Sequence, residues 1–225
     1  MHPDTMQWTA VDSYFESALH LNDPALEHAL ARSRAAGLPA HEIAPNQGRL
    51  LQIFAHMVRA RRILEIGTLG GYSTIWLARA LPPGGRLLSL ECDPARVRVA
   101  RQNLAAAGLA ACAEIIAGDA RQSLRQLVAA GAPPFDLIFL DADKADNPQY
   151  LVAALALARD GTVIVGDNIV RGGRIADPAA ASQPDVRGAR LFLEAMGRDL
   201  RLAATAVQTV GSKGWDGFSL AVVSR

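Results

Sequence analysis

The sequence predicts an α/β fold: a mostly parallel sheet with helices on both faces, preceded by a helical N-terminal extension. Three observations carry this. From residue 62 onward, short continuous apolar runs alternate with helical stretches, the pattern of strands buried on both faces. Residues 1–60 hold only helical patterns. Near the end the alternation breaks, and two strand-like runs joined by a glycine-containing loop predict a hairpin with one strand antiparallel to the rest.

The elements follow in order. Residues 1–40 read as two helices, the second opened by Asp23 as cap and Pro24 in its first turn, and ended by Gly37 and Pro39. A loop over 41–46 precedes a third helix whose apolar face is expected to carry Leu50, Leu51, Phe54, Met57 and Val58. Strands are expected at 62–66, 86–90, 113–117, 137–140 and 162–165, with helices near 72–80, 94–107, 120–130 and 148–158. A last helix near 186–196 leads into a strand-like run at 200–210, a loop at 211–217 and a final strand at 218–223. No repeat or composition shift divides the chain, so residues 1–225 read as a single domain.

Composition excludes several classes. With 50% hydrophobic and 20% charged residues the chain is no disordered polymer. Lys plus Arg is 23 against 22 for Asp plus Glu, a net charge of +1, which argues against a general nucleic-acid or membrane-surface binder. Cys92 and Cys112 are the only cysteines, too few for a disulfide framework or a zinc cluster. The N-terminus carries Asp4, Asp12 and Glu16 rather than a basic-then-apolar signal, and the longest apolar run, 151–158, is far short of the roughly 18 residues of a membrane span. The expectation is a cytoplasmic protein with no membrane partner. The five histidines (His2, His20, His28, His41 and His56) are scattered, and none follows a sheet strand, so they read as structural or solvent-facing.

In an open parallel sheet, ligands bind beyond the carboxyl ends of the strands. After the first strand comes Glu65-Ile66-Gly67-Thr68-Leu69-Gly70-Gly71-Tyr72-Ser73. Leu69 and Tyr72 stand where a dinucleotide fingerprint requires glycine, and Glu65 would repel a pyrophosphate, which disfavours a nicotinamide oxidoreductase. An acidic residue beside a glycine-rich turn suits a cationic ligand such as S-adenosylmethionine (SAM), with its ammonium and sulfonium. Glu91, ending the second strand, can accept both hydroxyls of a ribose. Gly118-Asp119-Ala120, after the third, suits the border of an adenine. The fourth and fifth strands end in Asp141-Ala142-Asp143-Lys144 and Asp167-Asn168, so that Asp141, Asp167 and Asn168 aim three hard oxygen donors at one crevice, a set suited to Mg²⁺.

Taken together, Glu65 to Ser73, Glu91, Gly118 to Ala120, Asp141 to Lys144 and Asp167-Asn168 resemble the small, cation-dependent O-methyltransferases, which include the catechol and caffeoyl-coenzyme A O-methyltransferases. The resemblance runs from about Ile43 to the C-terminus. It implies a Rossmann-like class I methyltransferase fold, a seven-stranded sheet with its last strand antiparallel, and a homodimer. It also implies that Glu65, Gly67, Thr68 and Ser73 hold the amino-acid end of SAM, with Ile43 closing over the methionine. Glu91 would bind the ribose, Asp119 and Ala120 would flank the adenine, and Asp143 would lie close to the cofactor. Asp141, Asp167 and Asn168 would bind a divalent cation (Mg²⁺, with Mn²⁺ or Ca²⁺ as alternatives), and Lys144 would be the general base, with Asp141 beside it in the catalytic set.

The function so implied is methylation of a hydroxyl on a small catechol-like or hydroxylated aromatic acceptor. The alternatives are O-methylation of a hydroxyuridine in tRNA, which the near-neutral charge disfavours, and a non-catalytic nucleotide-binding protein. Two departures bear on the acceptor. Many relatives carry a tryptophan after the Asp-Asn pair, where this chain reads Ile169-Val170-Arg171-Gly172-Gly173, and Ala145-Asp146-Asn147 separate Lys144 from Tyr150. Arg171 predicts an acceptor that carries an anion. Trp215 and Phe218 are expected to pack the final hairpin, and Cys92 to be a plain buried cysteine.

Overall fold

A computed structural model describes residues 4–224, so His2 lies outside the described residues. Its strands are β1 (Arg62–Ile66), β2 (Arg86–Glu91), β3 (Ala113–Ala117), β4 (Phe135–Leu140), β5 (Ala158–Asp167), β6 (Leu202–Gly211) and β7 (Gly214–Val223). The helices are α1 (Thr5–Ala18), α2 (Pro24–Ala35), α3 (Pro45–Met57), α4 (Tyr72–Ala78), α5 (Pro94–Ala106), α6 (Ala120–Ala129), α7 (Asn147–Ala156) and α8 (Pro184–Arg198). One 7-stranded sheet has the order β3-β2-β1-β4-β5-β7-β6. β1 to β5 pair in parallel, and β7 runs antiparallel to both β5 and β6, as the terminal hairpin predicted.

The apolar runs are continuous because neighbouring side chains feed two separate cores. In β4, Leu137 and Phe139 point into the core that α2 to α5 close, with Leu51, Ile75 and Trp76. Ile138 and Leu140 point into the other, against Leu151, Ile164 and Phe192, and Phe135 joins them because the register shifts between Phe135 and Leu137. Period-2 alternation therefore sorts apolar from apolar, not apolar from polar.

Three expectations change. The buried face of α3 is Gly48, Leu51, Gln52 and Ala55, while Met57 is 74% exposed. The cause is Gly48: a Cβ there would lie 2.3 Å from the Trp76 ring, so the bare backbone lets that indole turn this stripe inward. The final hairpin is tighter than expected: Gly211 pairs with Gly214, leaving Ser212 and Lys213 as the turn, and Trp215 Nε1 donates to Gln208 Oε1 at 3.1 Å across the strands. β5 begins at Ala158, because Arg159 ties its start to Asp136 with its guanidinium and to Thr162 Oγ1 with its backbone N–H. No helix among the described residues is long and apolar enough to cross a membrane. The parallel strands β1, β2, β4 and β5 end along one edge of the sheet, and the site lies there.

Candidate active site

At the end of β1 the chain must turn beside the end of β4, where the N–H of Asp141 donates to the Ile66 carbonyl at 2.8 Å. A Cβ on Gly67 would lie 2.2 Å from the Asp141 carbonyl oxygen, and its φ is +100°, so glycine is required by both space and dihedral. The turn that follows is held by two buried carboxylates. Glu91 Oε2 accepts the backbone N–H groups of Thr68 (3.3 Å) and Leu69 (2.9 Å), and Oε1 accepts that of Asp93 (3.0 Å). Glu65, fully buried, accepts the hydroxyls of Ser73 (2.6 Å), Thr74 (2.5 Å) and Ser89 (2.6 Å).

Burial pushes the Glu65 carboxyl up to about 7, against the three hydroxyls that favour its charged form and with the Asp141 charge adding to the rise. The folded pKa is raised, so its contribution to stability is complete below about 4.5 and is lost as pH rises through about 7. We expect the parent, free of cofactor, to lose on the order of 1–3 kcal/mol of stability between about pH 5 and 8. Asp167 contributes with the same sign, and Glu65→Gln should flatten the slope by roughly half. Urea unfolding at the two pH values measures this; an unchanged slope in the variant would mean that the carboxyl ionises normally.

On the other side of Gly67 lies the second half of the site. Lys144 is 6% exposed and its Nζ donates to Asp141 Oδ1 at 2.8 Å. Asp143 caps the short 3-10 turn Lys144–Asp146 by accepting the Ala145 N–H at 3.1 Å. Asp167, 5% exposed at the end of β5, accepts the N–H of Asn168 at 2.8 Å. Burial first, then the Asp141 charge, pushes Asp167 up to about 7, while Lys144 pulls it down. Asn168 adopts φ +53°, a left-handed conformation that lets the chain turn at the strand end. Among the described residues no three His, Cys, Asp or Glu side chains form a metal-holding group; the set here is two carboxylates and an asparagine.

A single cavity of about 1140 Å³ brings these pieces together. Ile43, Gly67, Thr68, Ser73, Glu91, Asp119, Ala120, Asp141, Asp143, Lys144, Asp167 and Asn168 all line it. Glu65 does not; it lies one layer behind the wall and reaches the cavity through Ser73. Asp119 caps α6 through the N–H groups of Arg121 and Gln122, and the Arg121 guanidinium holds its carboxyl well below the usual range. The buried Tyr72 hydroxyl, also on the wall, has no hydrogen-bond partner.

Other expectations are corrected. Arg171 lines the cavity, but its guanidinium is engaged by Asp185 (Nη2 to Oδ2 2.7 Å), a carboxylate it shares with Arg174 (2.9 Å), so it does not stand free as expected. Cys92 is exposed at the cavity rim and not buried, since Glu91, not the thiol, turns inward at the end of β2. Trp215 stays with the hairpin as expected, bonded to Gln208 and packed over Gly173, whereas Phe218 lines the cavity and meets Phe54 with ring centroids 6.3 Å apart. The sequence reading missed Ser89 and Thr74, whose signal was hydroxyls inside otherwise apolar segments. It also missed Asp216, which accepts the Val170 and Arg171 N–H groups at 2.9 and 3.1 Å and fixes the loop after Asn168.

Comparison with known proteins places this geometry in context. The family model described as O-methyltransferase matches residues 18–221. The catechol O-methyltransferase of Mycobacterium tuberculosis is 51% identical over 213 residues, covering 95% of this chain and 94% of that protein. The catechol O-methyltransferase of Niastella koreensis is 47% identical over 214 residues, covering 95% and 96%. Among solved structures, the O-methyltransferase from Bacillus cereus in complex with SAH superposes with a TM-score of 0.95 at 49% identity, covering 98% of this chain and 100% of that one. An O-methyltransferase from Streptomyces achromogenes involved in tomaymycin synthesis, in complex with SAM, gives 0.94 at 45% identity over 99% of both chains.

Proposed function

The chain belongs to the O-methyltransferase family and is a SAM-dependent O-methyltransferase, and on that premise we propose that it methylates one hydroxyl of a small catechol-like acceptor with the help of a divalent cation. The observation that carries this reading is the convergence of Asp141, Asp167, Asn168 and Lys144 on the cavity that the glycine-rich turn and Glu91 also line. The donor set fits a hard cation: Asp167 is a buried carboxylate next to a second one, and the Lys144 ammonium serves Asp141. Asp141, Asp167 and Asn168 would hold the divalent cation, which would supply Lewis acidity toward an acceptor hydroxyl.

The chain's own residues do the rest. The turn at Gly67 and Thr68, with Ser73, binds the amino-acid end of SAM, and Glu65 orients Ser73 from behind. Ile43 covers the methionine, Glu91 accepts the ribose hydroxyls, Asp119 and Ala120 border the adenine, and Asp143 lies beside the cofactor. Lys144 Nζ must first give up a proton to solvent, which a neighbouring positive charge favours, and as the neutral amine it then takes the proton of the acceptor hydroxyl. The oxygen forms a bond to the methyl carbon in line with the breaking carbon–sulfur bond, whose electron pair stays on sulfur; holding both reactants in that line is worth on the order of 7–11 kcal/mol.

A small acceptor is favoured over a polyanionic one. Arg96, Lys144, Arg171 and Lys213 on the cavity wall face Glu91, Asp141, Asp185 and Glu42 respectively. Each of these cations has a carboxylate beside it, which counts against a polyanionic tRNA. Asp185 also serves Arg174, so the Arg171 end keeps a net positive charge, and caffeate against catechol reads whether the acceptor uses it. The test is methyl transfer from labelled SAM to catechol, to caffeate and to hydroxyuridine-containing tRNA, each with and without chelator. Transfer to tRNA alone would overturn the reading.

Glu91 gives a second check. We expect Glu91→Ala to raise the SAM Kd by about 10–100-fold, the 1.5–3 kcal/mol of hydrogen bonds to a charged acceptor. Titration calorimetry measures it, and an unchanged Kd in a folded variant would remove Glu91 from the site.

A further inference from the structure

Helix α1 is held to the protein in an unusual way: the only buried side chain among its 14 residues is a carboxylate, that of Asp12. Of its large apolar residues Trp8 is half-buried, while Met6, Val11 and Tyr14 are 81%, 50% and 69% exposed. Asp12 Oδ2 instead accepts the backbone N–H of Ser212, in the β6–β7 turn, at 2.6 Å, and Oδ1 accepts Asn46 Nδ2, at the start of α3, at 3.0 Å. Gly211 makes room for this: a Cβ there would stand 2.5 Å from Asp12 Oδ2. Next to it, Lys213 Nζ donates to the Ala40 carbonyl (3.3 Å) and to Glu42 Oε1 (3.1 Å). The N-terminal segment is therefore joined to the hairpin tip by polar contacts at two points.

The place of this clasp matters. Asp12, Phe15, Asn46 and Gly211 line the active-site cavity. In the sheet order, β7 and β6 lie beyond β5, on the opposite side of β1 and β4 from β2 and its Glu91. The clasp thus covers the end of the cavity next to Asp167 and Asn168 and away from the ribose carboxylate. An element held mainly by a few charge-assisted hydrogen bonds, with little apolar burial, belongs to the low-stability part of a fold, from which active-site lids are drawn.

We propose that Asp12 is a positioning residue for the acceptor: through Ser212 and Asn46 it holds α1 as a roof over the acceptor end of the cavity, and acceptor enters when this polar clasp opens. The inference rests on the assignment of that end to the acceptor made above. Two variants approach the clasp from opposite sides: Asp12→Ala removes the carboxylate, and Gly211→Ala displaces it from the hairpin without altering α1. Each is expected to raise the KM for catechol tenfold or more, to leave the SAM Kd within twofold, and to accelerate amide hydrogen exchange in residues 5–18 while β1 and β4 stay protected. Because both act on one contact, the double variant should match the singles and not multiply them. Unchanged exchange in α1, or SAM Kd and acceptor KM rising by the same factor, would overturn the proposal. If the parent turned over no catechol at all, the reading of the acceptor would fall, while exchange in α1 would still decide whether Asp12 holds the roof.

Discussion

Asp167→Ala is expected to lower methyl transfer by at least about 10²-fold while changing SAM affinity by no more than about twofold. Even the outer partners of a metal ligand are worth 10–100-fold, and Asp167 is proposed as a direct one. The two effects separate because the site has two halves. Gly67 follows β1, Ser73 opens α4 and Glu91 ends β2, whereas Asp167 ends β5, on the other side of β4. Asp167→Asn gives a sharper test. Burial raises the carboxyl of Asp167 and the Asp141 charge adds to the rise, so a neutral isostere should raise the stability of the metal-free protein by on the order of 1 kcal/mol while leaving it inactive. Chelator should silence the parent in the same way, with activity restored by Mg²⁺. Full turnover in excess chelator, with the protein's metal content measured at zero, would sink the cation's role.

Much of this site could be read in the sequence, because a parallel sheet converts position along the chain into position in space. Once 62–66 and 137–140 are read as neighbouring buried strands, the residues after them must share an edge, and Gly67 does meet Asp141 there. What resisted reading depends on contacts with no local signature. Asp12 and Ser212 are 200 positions apart, and nothing near either residue announces the other. The α3 face was misread because period alone cannot tell that Gly48 admits an indole. The resemblance implies a cofactor role for Glu65 but says nothing of its buried bonds to the hydroxyls of Ser73, Thr74 and Ser89, which come from helix α4 and the neighbouring strand β2. Arg171 reads as a free guanidinium in the sequence, and nothing local announces that Asp185, in the first turn of a helix a loop away, binds it together with Arg174.

Lys144 is the residue on which the chemistry itself can be tested. Its backbone is fixed from two sides: Asp143 caps its 3-10 turn, and α8 presses so close that a Cβ on Gly188 would lie 2.0 Å from the Lys144 carbonyl oxygen. Its side chain is 6% exposed and bonded to Asp141, so Nζ stands in the cavity with almost no freedom to leave it. Lys144→Met should therefore lower kcat by about 10²–10⁴-fold, the usual worth of a positioned general base, with the SAM Kd little changed. That loss alone does not separate a base from a fixed positive charge, since methionine removes both. Lys144→Arg does: the guanidinium keeps the charge and can still pair with Asp141, but it stays protonated at any working pH and cannot accept the hydroxyl proton. A base requires the arginine variant to be as inactive as the methionine one. If Lys144→Arg kept more than about a tenth of the parental kcat, Lys144 would act by its charge, and the proton would have to leave by another route.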